Sequence, residues 1–92
     1  MQQNFPRLLP LHAVEEAFGR KKSLIYEWVA AGLFPRPIKV GTHLRWPSDE
    51  VDAVVKVYIA GAGEAALRTV VARIHAQREQ LAVQLATELA AA

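Results

Sequence analysis

The sequence predicts a mainly α-helical fold: a winged helix-turn-helix with a small β-hairpin wing, followed by a long C-terminal helix. Two short amphipathic segments lie on either side of a turn at Gly19, as in a helix-turn-helix. A basic segment with alternating apolar residues follows, which is typical of a two-stranded hairpin. From Glu64 onward the chain is rich in alanine and repeats its apolar residues at helical spacing.

The first helix is expected to begin near Leu11, after a loose start over residues 1–7. Gly19 is expected to end this helix, because glycine adopts positive φ without strain. Four apolar side chains are spaced for one buried face. They are Leu11, Val14, Ala17 and Phe18.

The second helix is predicted over roughly residues 22–31, with Gly32 at its end. At about 100° per residue, its apolar and polar side chains separate onto two sides. The apolar side carries Leu24, Ile25, Trp28 and Val29. The outward side carries Lys22, Ser23, Tyr26, Glu27 and Ala30.

A short hairpin is predicted next, because Pro35 and Pro37 hold the chain extended and a turn follows at Gly41-Thr42-His43. Lys39 and Arg45 are expected on the outward side of its strands. The apolar residues Ile38, Val40, Leu44 and Trp46 are expected to share the side that packs on the helices. Trp28, Phe34 and Trp46 are interpreted as core residues rather than as a base-stacking platform.

The third helix is predicted to begin at Ser48, which is a suitable N-cap and is followed by Asp49, Glu50 and Asp52 at the positive end of the helix. Val51, Val54, Val55 and Tyr58 form its expected buried stripe. Gly61 and Gly63 then interrupt the pattern. We therefore predict two units, residues 7–60 and residues 64–92.

The C-terminal segment is expected to form one amphipathic helix that could reach about 40 Å. This is longer than a domain of some sixty residues can cover, so we expect part of its apolar stripe to contact another copy of the chain. The oligomerisation stripe consists of Leu67, Val70, Val71, Ile74, Leu81, Leu85 and Leu89.

Composition excludes several classes of protein. The 92 residues contain no cysteine, which rules out disulfides and thiolate metal sites. The histidines His12, His43 and His75 are too scattered for a zinc site, and no nucleophile stands beside a base at motif spacing. We therefore expect no enzyme, metal, cofactor or small-molecule ligand. No apolar run suits a membrane span or a signal peptide, and we expect a protein of the bacterial cytoplasm or nucleoid.

The positive charge is concentrated in residues 20–46, although the formal net charge of the chain is only +2. This stretch holds six basic residues against a single acid, Glu27. Such a cluster on a helix and a hairpin indicates a nucleic-acid surface. An ordinary solvated surface would show the same charge.

Residues in order along the chain resemble the AlpA-type family of phage regulators and excisionase-like proteins. The matching segments are Leu8-Leu9, Gly19-Arg20-Lys21-Lys22-Ser23-Leu24-Ile25-Tyr26, Gly32-Leu33-Phe34-Pro35-Arg36-Pro37-Ile38-Lys39-Val40-Gly41, Arg45-Trp46 and Ser48-Asp49-Glu50-Val51. The resemblance covers about residues 7–60 and implies a winged helix-turn-helix related to the DNA-binding domain of MerR regulators. The chain departs from the family at Lys21, where a capping Ser or Thr is common.

The resemblance implies that the second helix enters the major groove of DNA by its N-terminal end. The turn before it and the wing would then contact phosphates. The DNA-binding residues expected on this basis are Arg20, Lys21, Lys22, Ser23, Tyr26, Glu27, Arg36, Lys39, Thr42, His43 and Arg45.

Sequence-specific binding of double-stranded DNA, as a phage or prophage transcriptional regulator or an excisionase-like factor, is therefore the leading hypothesis. The alternative is a phage assembly or adaptor protein that uses the winged helix for protein contacts, since a fold does not settle function. The sequence leaves the operator, the direction of regulation and the size of the oligomer open.

Overall fold

Residues 5–91 are described by a computed structural model, in which four helices and three short strands follow one another. Residues 1–4 of the expected loose start, and the last residue of the expected tail, lie outside the described residues. The elements are β1 (Leu8–Leu9), α1 (Leu11–Phe18), α2 (Lys22–Ala31), β2 (Ile38–Val40), β3 (His43–Pro47), α3 (Ser48–Ala60) and α4 (Glu64–Ala91). The winged helix-turn-helix with a long C-terminal helix is thus confirmed.

Helices α1 and α2 form the helix-turn-helix, and both end at the glycines that the sequence indicates. Gly19 and Gly32 have φ of 64° and 78°, in the left-handed region that favours glycine. Val14 of α1 and Ile25 of α2 are fully buried. Ala17 is exposed, so its expected place on the buried face of α1 is wrong.

A third strand, which the sequence did not indicate, completes the sheet in the order β1-β3-β2. Leu8 pairs with Pro47 and Leu9 with Trp46, both antiparallel. The pairing continues to Arg7, whose backbone N–H donates to Ser48 Oγ at 2.7 Å and whose carbonyl accepts from Ser48 N–H at 2.6 Å. The N-cap assigned to Ser48 is therefore wrong, because its hydroxyl serves β1 while Pro47 occupies the cap position.

The register of the hairpin contradicts the expected separation of its side chains. Lys39 lies opposite Leu44, and Ile38 lies opposite Arg45. Directly opposed residues of an antiparallel pair point to the same face. Lys39 therefore shares a face with Leu44 and Trp46, while Arg45 shares the other face with Ile38. The prediction that both cations point outward on one side is wrong.

The hydrophobic core is centred on Trp46 and Phe34, which are both fully buried. The indole N–H of Trp46 donates to the carbonyl of Pro35 at 2.8 Å, so its polar atom is satisfied inside the core. Trp28 is half-buried and packs edge-on against Phe18, with ring centroids 5.7 Å apart. The assignment of Trp28, Phe34 and Trp46 to packing is confirmed.

Helix α4 joins this core instead of beginning a separate unit at Glu64. Leu67, Val71 and Ile74 are buried, and Leu67 and Ile74 belong to the same cluster as Val14 and Trp46. Every residue from 79 to 91 is exposed. Packing against the rest of the chain therefore accounts for the first half of the stripe, and the expected contact with another copy can involve only Leu81, Leu85 and Leu89.

Removing residues 64–92 is expected to unfold the protein, although the sequence pattern divides the chain into two units at this point. Burial of Leu67, Val71 and Ile74 contributes roughly 1.5–3 kcal/mol for each side chain, which together approaches the total stability of a small domain. A chain that ends at Gln80 keeps these contacts and is expected to remain folded. Circular dichroism and urea unfolding of both truncations compare them directly; a cooperative transition in the shorter chain would contradict the assignment of α4 to the core.

Candidate nucleic-acid interface

The N-terminal half of α2 exposes a polar surface that is suited to contact with a ligand. Lys22, Ser23 and Glu27 are exposed, as the helical periodicity indicates. Tyr26 is half-buried, and its ring lies 6.0 Å from that of Trp46. Of the four residues of α2 that were expected to contact DNA, Lys22, Ser23 and Glu27 are therefore accessible, whereas Tyr26 is held by the core at the edge of this surface.

The N-terminus of α2 has no side-chain cap. Lys21 occupies the N-cap position with extended backbone (φ −94°, ψ 164°) and makes no capping hydrogen bond. The first turn contains no acidic residue. The partial positive charge of the helix end therefore adds to the charges of Lys21 and Lys22, and an oxyanion such as a phosphate group is the natural partner for this arrangement.

The turn before α2 places its two cations differently. Arg20 lines a shallow depression with Phe18 and Tyr58. Burial raises the pKa of the Tyr58 hydroxyl, and the positive charge of Arg20 acts against that rise. Lys21 lines a second depression together with Glu15 and Arg20. The acidic side chains of α1 therefore border the basic surface and limit it on that side.

The wing presents one cation on each of its faces. Lys39 is exposed on the face of the hairpin that carries Trp46 into the core, where the indole lies beside the ring of Tyr26 of α2. Arg45 is half-buried on the opposite face, where its Nη1 donates to the carbonyl of Leu44 at 2.8 Å. Thr42 and His43 are both exposed at the tip. Lys39 and the tip are thus better placed than Arg45 to act together with α2.

The six cations of residues 20–46 make no ion pair with a carboxylate within the part of the chain that the structure describes. The ion pairs found there join Lys56 to Asp52, Arg68 to Glu64, and Arg78 to Glu50. All three lie on α3 and α4. The charge of the helix-turn-helix and wing is therefore not neutralised by the folded chain.

Arg36, on the segment that leads into the wing, is exposed, but its backbone is held by α4. Its N–H donates to His75 Nε2 at 3.1 Å, and its carbonyl accepts from Arg78 Nη2 at 2.8 Å. Sequence reasoning missed both residues of α4. The signal available for Arg78 was its position within the apolar stripe, where a charged side chain needs a buried partner.

A second surface, an apolar groove of about 430 Å³, lies between the outer face of the sheet and the distal half of α4. Leu8, Ile38 and Pro47 form one wall, and Leu81 and Leu85 form the other. Val83, which is on a different side of α4, is absent from its lining. The distal stripe of α4 therefore continues directly into an apolar depression of the sheet.

Neither a metal-binding cluster nor a membrane-spanning helix is found in residues 5–91. Within this range, no group of three or more His, Asp or Glu side chains is arranged to hold a metal ion. No helix in the same range is long and apolar enough to cross a membrane.

A protein-family model, that of the prophage CP4-57 regulatory protein (AlpA), matches residues 7–54. The match runs from the strand next to α1 through the helix-turn-helix and the wing into α3, and includes every position of the basic surface described above. No match was found among curated proteins or among solved structures. Because the family model accounts for just over half of the 92 residues, the chain belongs to the AlpA family of prophage regulatory proteins.

Proposed function

We propose that this chain binds double-stranded DNA in a sequence-dependent manner, as a transcriptional regulator or excisionase-like factor of a phage or prophage. The observation that carries the proposal is the set of cations without carboxylate partners that flanks the exposed face of α2. Membership of a prophage regulatory family supports the same function.

Base reading is assigned to α2, whose N-terminal half would enter the major groove. A groove of B-DNA admits one helix, and each base pair shows a distinct pattern of donors and acceptors there. Lys22 can donate to guanine, Ser23 can donate or accept, and Glu27 can accept from the amino group of cytosine. The ring of Tyr26, at the edge of this face, suits contact with a thymine methyl group or a phosphate.

Phosphate contacts are assigned to the groups on both sides of α2. Lys21 and the uncapped helix end provide one contact region, with Arg20 beside them. Lys39 and the tip residues Thr42 and His43 provide the other, and Arg36 lies on the segment between them. The contacts would fix the position of the domain on the duplex without reading its sequence.

The salt dependence of binding tests this assignment. With about five phosphate contacts, affinity for a duplex is expected to fall on the order of 10²–10³-fold between roughly 50 and 200 mM salt. A duplex selected from a random pool at near-physiological salt supplies the ligand, and fluorescence anisotropy measures the affinity. Weak binding of duplexes at both salt concentrations would favour the adaptor function instead.

Two alanine substitutions in the wing test the contributions of its two faces separately. Lys39→Ala is expected to weaken binding to all sequences and to reduce the salt slope by about one contact. Arg45→Ala is the matched control, because it removes the same charge from the opposite face of the hairpin. Equal losses from both variants would show that the duplex does not distinguish the two faces of the hairpin, and unchanged affinity in Lys39→Ala would remove Lys39 from the interface.

Base reading by Ser23 is tested by the pattern of preference rather than by affinity alone. Ser23→Ala is expected to relax selection at one position of the site by about 1–3 kcal/mol while leaving binding to random duplexes unchanged. Selection from a random pool with the variant measures this. A uniform loss over all sequences would assign Ser23 to the backbone.

Self-association is assigned to the distal stripe of α4. Leu81, Leu85 and Leu89 are 55%, 47% and 75% exposed, and the first two border the apolar groove. A second copy of the chain would cover this stripe and place two reading helices on one duplex. Linking two weak sites in this way raises the apparent affinity by roughly 10²–10⁴.

Leu85→Glu is expected to convert the oligomer into a folded monomer, because a carboxylate would be buried in the contact. Val83→Glu is the matched control, since Val83 is 67% exposed on the same helix but points away from the groove. Sedimentation velocity of both variants and the unaltered chain measures the change. A monomeric unaltered chain at all concentrations would contradict the self-association.

A further inference from the structure

The segment that joins the proposed reading helix to the wing is held mainly by side chains. We call residues 32–37 the connector; they form neither helix nor strand. Its backbone is bonded on one side by the core, where the indole of Trp46 donates to the carbonyl of Pro35 at 2.8 Å. On the other side the N–H and the carbonyl of Arg36 bond to His75 and Arg78 of α4.

The end of α2, immediately before the connector, is bonded to the same helix. Arg68 Nη1 donates to the carbonyl of Ala31 at 2.6 Å. Its Nη2 lies 3.4 Å from Glu64 Oε2, which keeps the guanidinium close to the end of α2. Carbonyls at a helix C-terminus lack hydrogen-bond donors within the helix. Here a side chain of α4 supplies a donor to one of these carbonyls.

The residues of α4 that bond to the connector and to the end of α2 lie along one side of that helix. Arg68 and His75 are seven residues apart, and Arg78 is three residues further, so all three are near the buried stripe. Val71 and Ile74 of that stripe are buried in the core. The core therefore fixes α4, and α4 in turn presents its polar side chains to the connector at fixed positions.

We propose that α4 positions the wing relative to α2, through Arg68, His75 and Arg78, so that both elements can contact one duplex. The inference rests on the proposed DNA binding. These three residues are positioning residues: they bond to the backbone of α2 and of the connector and do not contact the nucleic acid. They lie outside the residues 7–54 that match the family model, so they belong to the tail of this chain.

The physical need for such a support follows from the small size of the wing. Within the described chain, strand β1 pairs only with Trp46 and Pro47, so the part of the hairpin from Lys39 to Leu44 has no third strand beside it. A two-stranded ribbon of this size is marginally stable by itself in water. A duplex presents its groove and its flanking phosphates at fixed separations. A shift of the wing therefore loses the contact of Lys39 or that of α2, because both are needed at once.

Arg78 extends the support to α3. Its guanidinium donates to both carboxylate oxygens of Glu50, at 3.0 and 2.5 Å, while Nη2 also reaches the carbonyl of Arg36. The side chains of Arg78 and Glu50 are 21% and 13% exposed. A partly buried, bidentate pair of this kind has a defined geometry, so the position of Arg36 is tied to α3 as well as to α4.

The bond from Arg36 to His75 requires an unprotonated Nε2 on the imidazole. Burial lowers the pKa of His75, and the positive charges of Arg36 and Arg78 lower it further, whereas Glu50 and Glu79 act in the opposite direction. These groups come from the connector, from α3 and from α4 itself. The neutral imidazole, which can accept the bond, is thus favoured in the folded protein.

A dependence of stability on pH follows from this. Since the folded-state pKa is below the ordinary value of 6.5, the unfolded chain takes up the proton first as the pH falls. The stabilisation by neutral His75 is therefore present above about pH 6.5 and is lost as the pH falls through the folded-state pKa. Urea midpoints between about pH 8 and about pH 5 are expected to fall less steeply for His75→Gln than for the unaltered chain. His43→Gln, at the exposed tip of the wing, is the control; equal slopes in all three proteins would remove His75 from this role.

Binding of the selected duplex by full-length variants tests the positioning. Arg68→Met is expected to lower the affinity about tenfold, because loss of a hydrogen bond from a charged donor shifts the population away from the binding arrangement by about that factor. It is also expected to flatten the salt slope. Arg73→Met is the matched control, because Arg73 is exposed on another side of α4 and its removal changes the net charge equally. Thermal unfolding is measured for both variants, so that a loss of fold is separated from a loss of positioning.

A pair of His75 variants provides a second, independent test. His75→Gln retains an acceptor for the Arg36 N–H and is expected to bind the duplex as the unaltered chain does. His75→Leu has no acceptor and is expected to bind several-fold more weakly. Hydrogen exchange of the Arg36 amide, followed by NMR without DNA, is expected to be faster in His75→Leu only.

The outcomes separate the two proposals. If the unaltered chain binds the duplex and Arg68→Met and His75→Leu bind as tightly as their controls, the positioning by α4 is overturned and the proposed function stands. If the unaltered chain binds no duplex, the proposed function fails. Unchanged exchange of the Arg36 amide in His75→Leu would overturn the hold of α4 on the connector in either case.

Discussion

The buried indole of Trp46 fixes the relation between the sheet, the connector and α2. It is fully buried, pairs with Leu9 of β1 and donates its N–H to the carbonyl of Pro35. Its ring also lies 6.1 Å from Phe34 and 6.0 Å from Tyr26. Trp46 therefore joins β1, the connector and α2 at one point, and the faces of the hairpin follow from the direction that this indole takes.

The arrangement of charge on the wing is a consequence of that constraint. Once Trp46 points into the core, Leu44 and the opposing Lys39 must lie on the same face of the ribbon, and Arg45 must lie on the other. Alternation along each strand was visible in the sequence. Which residues of the two strands share a face was not visible, because this depends on the length of the turn. The turn comprises Gly41 and Thr42, and His43 already belongs to β3. One residue in the turn decided which cations share a surface.

The sequence predicted the helices more closely than any other part of the structure. Helix α2 agrees with the expected range of roughly residues 22–31, and Gly32 marks its end, whereas the sequence left its exact start open. Strand β1 was missed, since two residues are too few to show a period and their partner is some forty residues away. The N-cap prediction for Ser48 failed for a related reason. Its hydroxyl could cap α3, but it accepts a hydrogen bond from the backbone N–H of Arg7, which is distant in the sequence. The sequence therefore predicted an element correctly where the hydrogen-bond partners of its residues are near in the sequence, and failed where they are distant.

The candidate site divides in the same way. Exposure of Lys22, Ser23 and Glu27 followed from helical periodicity alone. The roles of Arg68 and His75 could not be read from the sequence, because their partners are backbone atoms more than thirty residues away. A pattern of side chains carries no information about which carbonyl lacks a hydrogen bond. That information arises only when the connector is placed against α4.

We assign two tasks to the apolar stripe of α4, packing in the core and the proposed self-association, and Arg78 lies at the boundary between them. On one side of it, Leu67, Val71 and Ile74 complete the core. On the other, Leu81 and Leu85 line the apolar groove, and Arg78 itself contributes to that groove while it bonds to Arg36. A second copy that fills the groove must therefore contact the guanidinium that holds the connector. The proposed self-association and the position of the wing would thus be linked through this one side chain, so that pairing of two copies would act on the proposed DNA-binding surface as well as double it.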